Sequence, residues 1–159
     1  MSEVTRFMTH GQEETIALAS AVAQMLAPGD TVLLHGDLGA GKSVFARGLG
    51  RGLGVTGAMP SPTFVLLIPH EGRVPFYHYD LYRISDPDEF EQAGLDEFIG
   101  GDGVAAVEWP EMADLDVEPA LTVTIERTDD DDAARVISIV NAGVKGYNPE
   151  ALSRWRTEA

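Results

Sequence analysis

The spacing of apolar residues along the chain predicts its helices. Apolar side chains recur at close to helical spacing over residues 13–26, and Pro28-Gly29 then stops this helix. The segment 86–99 has Ser85 or Asp86 as its candidate N-cap and Pro87 in its first turn. The predicted helices cover residues 13–26, 44–53 and 86–99, with a short one starting near residue 149.

Short apolar runs bounded by turn residues predict the strands. They cover residues 4–8, 31–35, 64–68, 74–79, 103–107, 121–126 and 135–140. Runs 64–68 and 74–79 are separated by a short turn, as are 121–126 and 135–140, so each pair predicts an antiparallel hairpin. One βα unit combined with hairpins predicts an α/β fold, with a mixed parallel and antiparallel sheet flanked by helices. A chain of 159 residues is expected to form a single domain over 1–159.

The most specific motif lies between the predicted strand at 31–35 and the helix at 44–53. Its sequence, GDLGAGKS, matches the phosphate-binding pattern G-x-x-x-x-G-K-[ST] in the strand–loop–helix context that the pattern requires. It predicts a nucleoside triphosphate site in a P-loop NTPase-like domain. The candidate nucleotide-binding residues here are Gly36, Asp37, Leu38, Gly39, Ala40, Gly41, Lys42, Ser43 and Val44.

The chemistry of phosphate and Mg²⁺ binding explains the residue types in this loop. Its glycines permit backbone conformations closed to other residues, so that successive N–H groups can converge on one anion. The helix that follows directs its first N–H groups to the same place. Lys42 supplies a mobile charge for the β- and γ-phosphates, and the Ser43 hydroxyl is a hard oxygen ligand suited to Mg²⁺. Asp37 is either a solvated turn residue or a group near the γ-phosphate.

A second candidate group is the carboxylate that follows the apolar run at 104–107. Glu108 ends a strand predicted to be buried, where a carboxylate can complete a Mg²⁺ shell beside a phosphate loop. The alternative is an ordinary, partly exposed glutamate at a strand end. Together with Ser43 it forms the predicted metal site. Trp109 beside it could stack on a base or a partner, or could simply pack.

Polar side chains also gather at the end of the predicted strand at 74–79. Alternation along the strand sends His78, Asp80 and Tyr82 to one face. Asp80 could orient a water or Mg²⁺ and Arg83 could meet phosphate oxygens, or the two could form a salt bridge. Thr63 lies on a segment stiffened by prolines, which could act as a nucleotide-sensing switch or only as a rigid loop.

The composition bears on partners and location. The chain has 26 acidic and 11 basic residues, a net charge of −15, and no basic cluster, so we expect no tight direct binding to nucleic acid. It has no cysteine, which excludes disulfides, thiolate metal sites and cysteine nucleophiles. The acidic run at 129–132 is expected to be a solvated turn rather than a metal site. No apolar stretch approaches a membrane span, so a cytoplasmic protein is expected.

Four motifs in order along the chain resemble the TsaE family, the small bacterial ATPases of tRNA threonylcarbamoyladenosine biosynthesis. They are GDLGAGKS at 36–43, SPTF at 61–64, HYDLYR at 78–83 and EWPE at 108–111. The loop alone is generic, whereas HYDLYR followed by EWP is specific, and the resemblance spans nearly the whole chain. Ser43 stands where relatives often carry threonine, which preserves the hydroxyl. The acidic run at 129–132 argues against the late turn helping to hold adenine.

The resemblance implies more than the residues show. TsaE-like proteins bind and slowly hydrolyse ATP, and they support two partner proteins that place a threonylcarbamoyl group on the adenosine beside the anticodon. The resemblance implies that Lys42 holds phosphates, that Ser43 and Glu108 ligate Mg²⁺, and that Asp80 assists hydrolysis. Lys42, Asp80 and Glu108 are therefore the catalytic candidates. Thr63 and Trp109 would lie near the nucleotide and the partner surface, and the partners would hold the tRNA.

Two other classes of P-loop protein share the phosphate loop. A small-molecule kinase needs an acceptor pocket and usually a lid with several arginines. Only Arg47, Arg51 and Arg83 are candidates here, and no lid-sized insertion is visible. A GTPase needs an N-K-x-D guanine motif, and the segment 141–145 lacks that spacing. An ATPase in a modification complex is favoured, with the kinase as the alternative.

Overall fold

The fold is built on one seven-stranded sheet. The computed structural model of the chain describes residues 3–60 and 66–158. The strands are β1 (Val4–Thr9), β2 (Thr31–His35), β3 (Leu67–Glu71), β4 (Pro75–Asp80), β5 (Val104–Glu108), β6 (Ala120–Arg127) and β7 (Arg135–Ala142). The α-helices are α1 (Gln12–Ala23), α2 (Lys42–Gly52) and α3 (Pro87–Gln92), and shorter 3₁₀ helices cover Leu95–Phe98, Pro110–Ala113 and Pro149–Trp155.

The strand order is β1-β7-β6-β2-β5-β4-β3, with a parallel centre and antiparallel margins. Strand β2 pairs in parallel with β5 and β6, and β4 pairs in parallel with β5. The pairs β1–β7, β6–β7 and β3–β4 are antiparallel. The predicted α/β fold with a mixed sheet is therefore confirmed, as are both predicted hairpins.

Helices cover both faces of the central strands. On β2, Val32 and Leu34 face the core cluster that contains the buried side chains of α1 and α2. Leu33 faces the opposite cluster, which contains Tyr79 of β4 and Phe90 of α3. Because a central parallel strand is buried on both sides, its sequence is a continuous apolar run rather than an alternating one.

Helices α1 and α2 approach each other through glycines of α2. A Cβ atom on Gly48 would lie 2.6 Å from Cβ of Ala19 and 2.8 Å from the carbonyl oxygen of Ile16. On Gly52 it would lie 2.5 Å from the carbonyl oxygen of Ser20. The two glycines are four residues apart and lie on one helix face, so they allow the backbones to come close. This close contact fixes where α2, and the loop before it, sits over the sheet.

The predicted helix over 86–99 is wrong in its second half. Asp86 caps α3 by accepting the backbone N–H of Asp88, as the sequence indicates, but the α-helix ends at Gln92. Gly94 then has a φ of 72°, which favours glycine, and the chain continues as the 3₁₀ helix Leu95–Phe98. The Tyr79 hydroxyl donates to the carbonyl oxygen of Leu95 at 2.6 Å. A tertiary contact therefore takes the carbonyl that a continuous helix would use.

Other boundaries also differ from the predicted ones; α1, for example, ends at Ala23 rather than at residue 26. The strand predicted at 64–68 begins outside the described residues, and β3 runs on to Glu71, which pairs with Pro75. The turn of this hairpin is consequently shorter than predicted. Its Arg73 donates from Nη2 to the carbonyl oxygen of Ala23 at 2.8 Å, which ties the turn to the end of α1. The last predicted helix is a 3₁₀ segment with non-helical backbone at Leu152.

Hydropathy of the observed helices bears on membrane association. Within residues 3–60 and 66–158, none of them combines the length and the apolar character needed to cross a bilayer.

Replacing Gly48 by valine is expected to destabilise the fold. The added side chain would have to displace Ala19 or the α1 backbone, and overpacking of this kind costs about 2 kcal/mol. Urea unfolding followed by circular dichroism should show a free energy of unfolding lower by that amount. Gly101→Ala is the control, because a Cβ there would meet only ordinary contacts at 3.7 Å or more. Equal stability of Gly48→Val and wild type would contradict the proposed close helix contact.

Candidate functional site

A cavity of about 590 Å³ opens where the parallel strands β2, β4 and β5 end. In a sheet of this kind, the carboxyl ends of parallel strands and the loops that follow them are where ligands bind. The phosphate loop and the start of α2 form one wall, from Leu38 to Val44. The remaining lining residues are Gly11, Gln12, Thr15, Asp80, Tyr82, Arg83, Glu108, Trp109, Asp132, Ala133 and Arg135.

The backbone of the loop has the conformation that its glycines permit. Gly36, Gly39 and Gly41 have φ values of 151°, 80° and 118°. At Gly36 a Cβ atom would also lie 2.7 Å from the carbonyl oxygen of Ile125, so a side chain is excluded there by space as well as by φ. Helix α2 then starts at Lys42 without a side-chain cap, which leaves its first N–H groups for a ligand at the cavity.

Lys42 is buried, with only 4% of its surface exposed. Its Nζ donates to the carbonyl oxygens of Gly36 and Asp37, the second at 2.9 Å, and lies 4.1 Å from the centroid of the Trp109 ring. Burial lowers the pKa of Lys42 from its ordinary value, and nearby carboxylates, Glu108 foremost, oppose that shift. The cation is thus held inside the loop by carbonyl dipoles and an aromatic face, within reach of an anion bound there.

Ser43, Glu108 and His78 form a buried hydrogen-bonded group beside the loop. The Ser43 hydroxyl donates to Glu108 Oε1 at 2.9 Å and approaches Oε2 at 3.1 Å. His78 Nε2 lies 2.6 Å from Glu108 Oε2, and Glu108 and His78 are 3% and 2% exposed. Glu108 is therefore not the partly exposed strand-end glutamate that the sequence left open. The structure brings together the two residues predicted to share a metal.

Asp80 lies next to Glu108 because β4 and β5 pair in parallel with these two residues in register. It is 6% exposed, lines the cavity, and accepts the backbone N–H of Tyr82 at 3.0 Å. Arg83 also lines the cavity. Tyr82 is 47% exposed, and its ring lies 4.9 Å from that of Trp109 between centroids.

The remaining predicted residues occupy different positions. Asp37 is exposed and lines a smaller hollow on the other side of the loop, whereas Leu38 is 67% exposed at the mouth of the main cavity. Trp109 packs on Lys42 and Tyr82 and has a φ of 59°, a conformation uncommon for a bulky residue. Thr63 lies outside the described residues, with the rest of the segment 61–65.

Two parts of the wall come from residues that the sequence did not indicate. The first part is the start of α1, with Gly11, Gln12 and Thr15. The second is Ala133 of the turn between β6 and β7 and Arg135, the first residue of β7. Local patterns carry no signal for them, because their approach depends on the strand order. The acidic run 129–132 is an exposed turn, as predicted, although its last residue borders the cavity.

Two arginines at the ends of β6 and β7 bind the phosphate loop. Arg127 Nη2 donates to the carbonyl oxygen of Gly39 at 2.8 Å, and Arg135 Nε donates to that of Ala40 at 2.7 Å. In a trans peptide the C=O and N–H groups point in opposite directions, so the Arg135 contact also fixes the direction of the Gly41 N–H. The β6–β7 hairpin thus helps to hold the loop in the observed conformation.

The donor set at the site fits a hard divalent cation held jointly with a ligand. Among the described residues no group of three or more histidine, aspartate or glutamate side chains could hold a metal ion. Ser43 and Glu108 contribute hydroxyl and carboxylate oxygens, the ligands that Mg²⁺ prefers, and Mg²⁺ commonly completes its shell with waters and phosphate oxygens.

Comparison with known proteins points to one family. The sequence model of the family described as threonylcarbamoyl adenosine biosynthesis protein TsaE matches residues 9–137. The tRNA threonylcarbamoyladenosine biosynthesis protein TsaE of Bacillus subtilis is 41% identical over 129 residues, 80% of each chain. The protein of the same name from Streptomyces coelicolor is 41% identical over 146 residues, 88% of this chain and 93% of that one. The crystal structure of Bacillus subtilis YdiB superposes with a TM-score of 0.77 at 32% identity, covering 98% of this chain and 95% of the other.

Arg135→Met is expected to weaken binding of phosphate-bearing ligands without unfolding the chain. A charge-assisted hydrogen bond to the loop is worth about 1.5–3 kcal/mol, and the lower end of this range corresponds to about tenfold in affinity. Calorimetric titration with ADP in the absence of metal measures the change. Arg6→Met removes the same charge from an exposed position on β1 and is the matched control. Equal affinities of the two variants would show that the arginine does not organise the loop.

Proposed function

The chain belongs to the TsaE family of threonylcarbamoyl adenosine biosynthesis proteins, and on that premise we propose that it is a Mg²⁺-dependent ATP-binding protein and weak ATPase. With two partner proteins it supports threonylcarbamoyladenosine modification of tRNA next to the anticodon. The family takes part in the biosynthesis of this modified nucleoside. What we propose beyond the family's role is that the chain binds ATP and Mg²⁺ and acts with two partner proteins.

One observation carries the proposal: the phosphate loop and the Ser43–Glu108 pair line one cavity at the carboxyl edge of the sheet. The loop offers backbone N–H groups at a helix start and the buried charge of Lys42, which together suit a polyphosphate. Lys42 exchanges its carbonyl contacts for the β- and γ-phosphates when the nucleotide binds.

Ser43 and Glu108 are the residues proposed to hold Mg²⁺. Because the Ser43 hydroxyl donates its hydrogen bond to the Glu108 carboxylate, the lone pairs of its oxygen remain for a cation. The cation would neutralise charge that develops on the phosphate oxygens during transfer. Asp80, buried beside Glu108, is positioned to orient the attacking water.

Adenine is the proposed base. A guanine reader of the N-K-x-D type is missing from the sequence, and Asn141 serves a structural role instead. Its side chain bonds both backbone groups of Val144, with the Val144 N–H donating to Asn141 Oδ1 at 2.9 Å and Asn141 Nδ2 donating to the Val144 carbonyl at 3.0 Å. This turn follows β7 and does not line the cavity.

A small-molecule kinase, the alternative, has less support. Of the three arginines considered for a kinase site, Arg83 lines the cavity, whereas Arg47 and Arg51 of α2 do not. Arg135, the other arginine of the lining, is hydrogen bonded to the loop carbonyl of Ala40. A kinase stabilises its transferred phosphoryl group with several such cations.

Exposed side chains at the cavity mouth support a role for partner proteins. Leu38 and Tyr82 are 67% and 47% exposed there, and a second protein could bury both while contacting the nucleotide. The net charge of −15 opposes direct binding to the tRNA backbone, so the partners hold the tRNA in this proposal.

The first test of the proposal is nucleotide selectivity. The chain should bind ATP with Mg²⁺ more tightly than GTP in titration calorimetry, since it lacks the guanine motif. Lys42→Ala should lower ATP affinity by about 10- to 100-fold, the effect of losing charge-assisted hydrogen bonds worth about 1.5–3 kcal/mol. Lys145→Ala, at the exposed second lysine of the chain, should leave it unchanged. Tighter GTP than ATP binding would overturn the adenine assignment.

The second test concerns partner dependence. ATP turnover by the isolated chain should be slow and should rise when the two partner proteins are added, because residues at the cavity mouth are exposed without them. A gel-shift assay at physiological salt should show no submicromolar binding of tRNA by the isolated chain. Equal turnover with and without partners, together with normal tRNA modification by the partners alone, would rule out the proposed supporting role.

A further inference from the structure

His78 is a buried polar residue to which the proposed function assigns no task. It lies on β4 two residues before Asp80, on the same face of the strand, and is 2% exposed. Its ring stacks at 6.2 Å from that of Phe76 on one side, and its Nε2 contacts Glu108 Oε2 at 2.6 Å. Because carboxylate oxygens accept hydrogen bonds, we assign His78 as the donor of this contact through its Nε2–H.

The register of the sheet explains how His78 reaches Glu108. His78 pairs with Ala106 on β5, and Asp80 pairs with Glu108. Ala106 carries only a methyl group and is fully buried, which leaves space for the imidazole to lean along the strand. The contact is therefore diagonal, from one residue of β4 to a residue two positions further along β5.

Glu108 links His78 to Ser43 at the end of the phosphate loop. Oε2 of Glu108 contacts His78 Nε2 at 2.6 Å, and Oε1 of Glu108 accepts a hydrogen bond from the Ser43 hydroxyl at 2.9 Å. The bond from His78 restricts the rotation of the Glu108 carboxylate, and the carboxylate in turn orients the Ser43 hydroxyl, which donates to it. Donors that orient a ligating carboxylate in this way commonly change metal affinity by about 10- to 100-fold when removed.

We propose that His78 is a positioning residue, which holds Glu108 so that Ser43 and Glu108 present their oxygens together to the divalent cation of the bound nucleotide. This inference rests on the proposed Mg²⁺ and ATP site. It predicts that the His78 side chain governs metal affinity while it leaves the contacts between phosphate and loop unchanged. A purely structural role, in which His78 only compensates a buried carboxylate, would instead lower stability and affect all ligands alike.

The experiment measures Mn²⁺ binding to the chain saturated with a non-hydrolysable ATP analogue, using the electron paramagnetic resonance signal of free Mn²⁺. His78→Leu and His78→Asn should each weaken Mn²⁺ binding by about tenfold. Leucine has no donor, and the amide of asparagine is too short to reach Glu108. His78→Gln places an amide nitrogen where Nε2 lies and should stay within about threefold of wild type. Metal-free affinity for the analogue should change by less than about twofold in all three.

His70→Leu is the matched control. His70 lies on the neighbouring strand β3 and stacks on Phe76, as His78 does, but β4 separates β3 from Glu108 on β5, and the buried Nε2 of His70 has no hydrogen-bond partner among the described residues. Its removal should leave Mn²⁺ affinity unchanged. Circular dichroism of every variant reports whether it is folded.

The outcomes distinguish an error in the proposed metal site from an error in the role of His78. Wild-type protein that binds Mn²⁺ no better than Glu108→Gln would overturn the proposed metal site itself. A Glu108→Gln variant that loses Mn²⁺ affinity, with His78→Leu and His78→Asn unchanged, would overturn only the role of His78. Equal Mn²⁺ affinities of His78→Gln and His78→Asn would also overturn it, as would equal losses of analogue affinity with and without metal.

The wild-type chain offers a second measurement that needs no variant. Nitrogen-15 NMR of the histidine side chains should show the Nε2 proton of His78 retained, and protected from exchange, when Mg²⁺ and the analogue are added. Loss of that protected proton in the ternary complex would contradict the proposal even if no His78 variant folds.

Discussion

The parallel pairing of β2, β4 and β5 is the constraint on which the site depends. Its register sets Leu34 and Asp80 on either side of Glu108, so the loop that leaves β2 starts beside the carboxylate that ends β5. Ser43 and Glu108 are consequently hydrogen bonded although 65 residues separate them. A shift of β5 by one residue would turn Glu108 to the other face of a strand that is buried throughout. The register that packs the core therefore also sets the geometry of the site.

Local sequence patterns were sufficient to predict which residues lie at the centre of the site. The GDLGAGKS loop, the apolar run before Glu108 and the alternation through Asp80 each carry their signal within a few neighbouring residues. The opposite wall could not be predicted, because the start of α1 and Arg135 reach the cavity only through the order β1-β7-β6-β2. The broken helix after α3 has the same origin, since a hydroxyl from β4 takes the Leu95 carbonyl. The placement of Thr63 near the nucleotide stays a prediction, because Thr63 lies outside the described residues.

The phosphate loop is held by cations from two directions. Lys42 binds the carbonyls of Gly36 and Asp37 from inside, and the arginines of the β6–β7 hairpin bind those of Gly39 and Ala40 from outside. These contacts help to fix a glycine-rich segment that would otherwise lose much conformational freedom on binding a ligand. The acidic turn between the two arginines is therefore attached to the loop through its flanking residues, while its own side chains are exposed.

The resting position of Lys42 has a consequence for the proposed ATP binding. Its Nζ already has carbonyl partners and the face of Trp109, so phosphate must replace contacts that exist rather than meet an unsolvated charge. The net gain is the difference between the two sets of contacts, which is smaller than the strength of either. Trp109 is itself held by Tyr82, whose ring is half exposed at the cavity mouth. In the proposed complex, a partner that contacts Tyr82 would therefore also bear on the packing of Trp109 against Lys42.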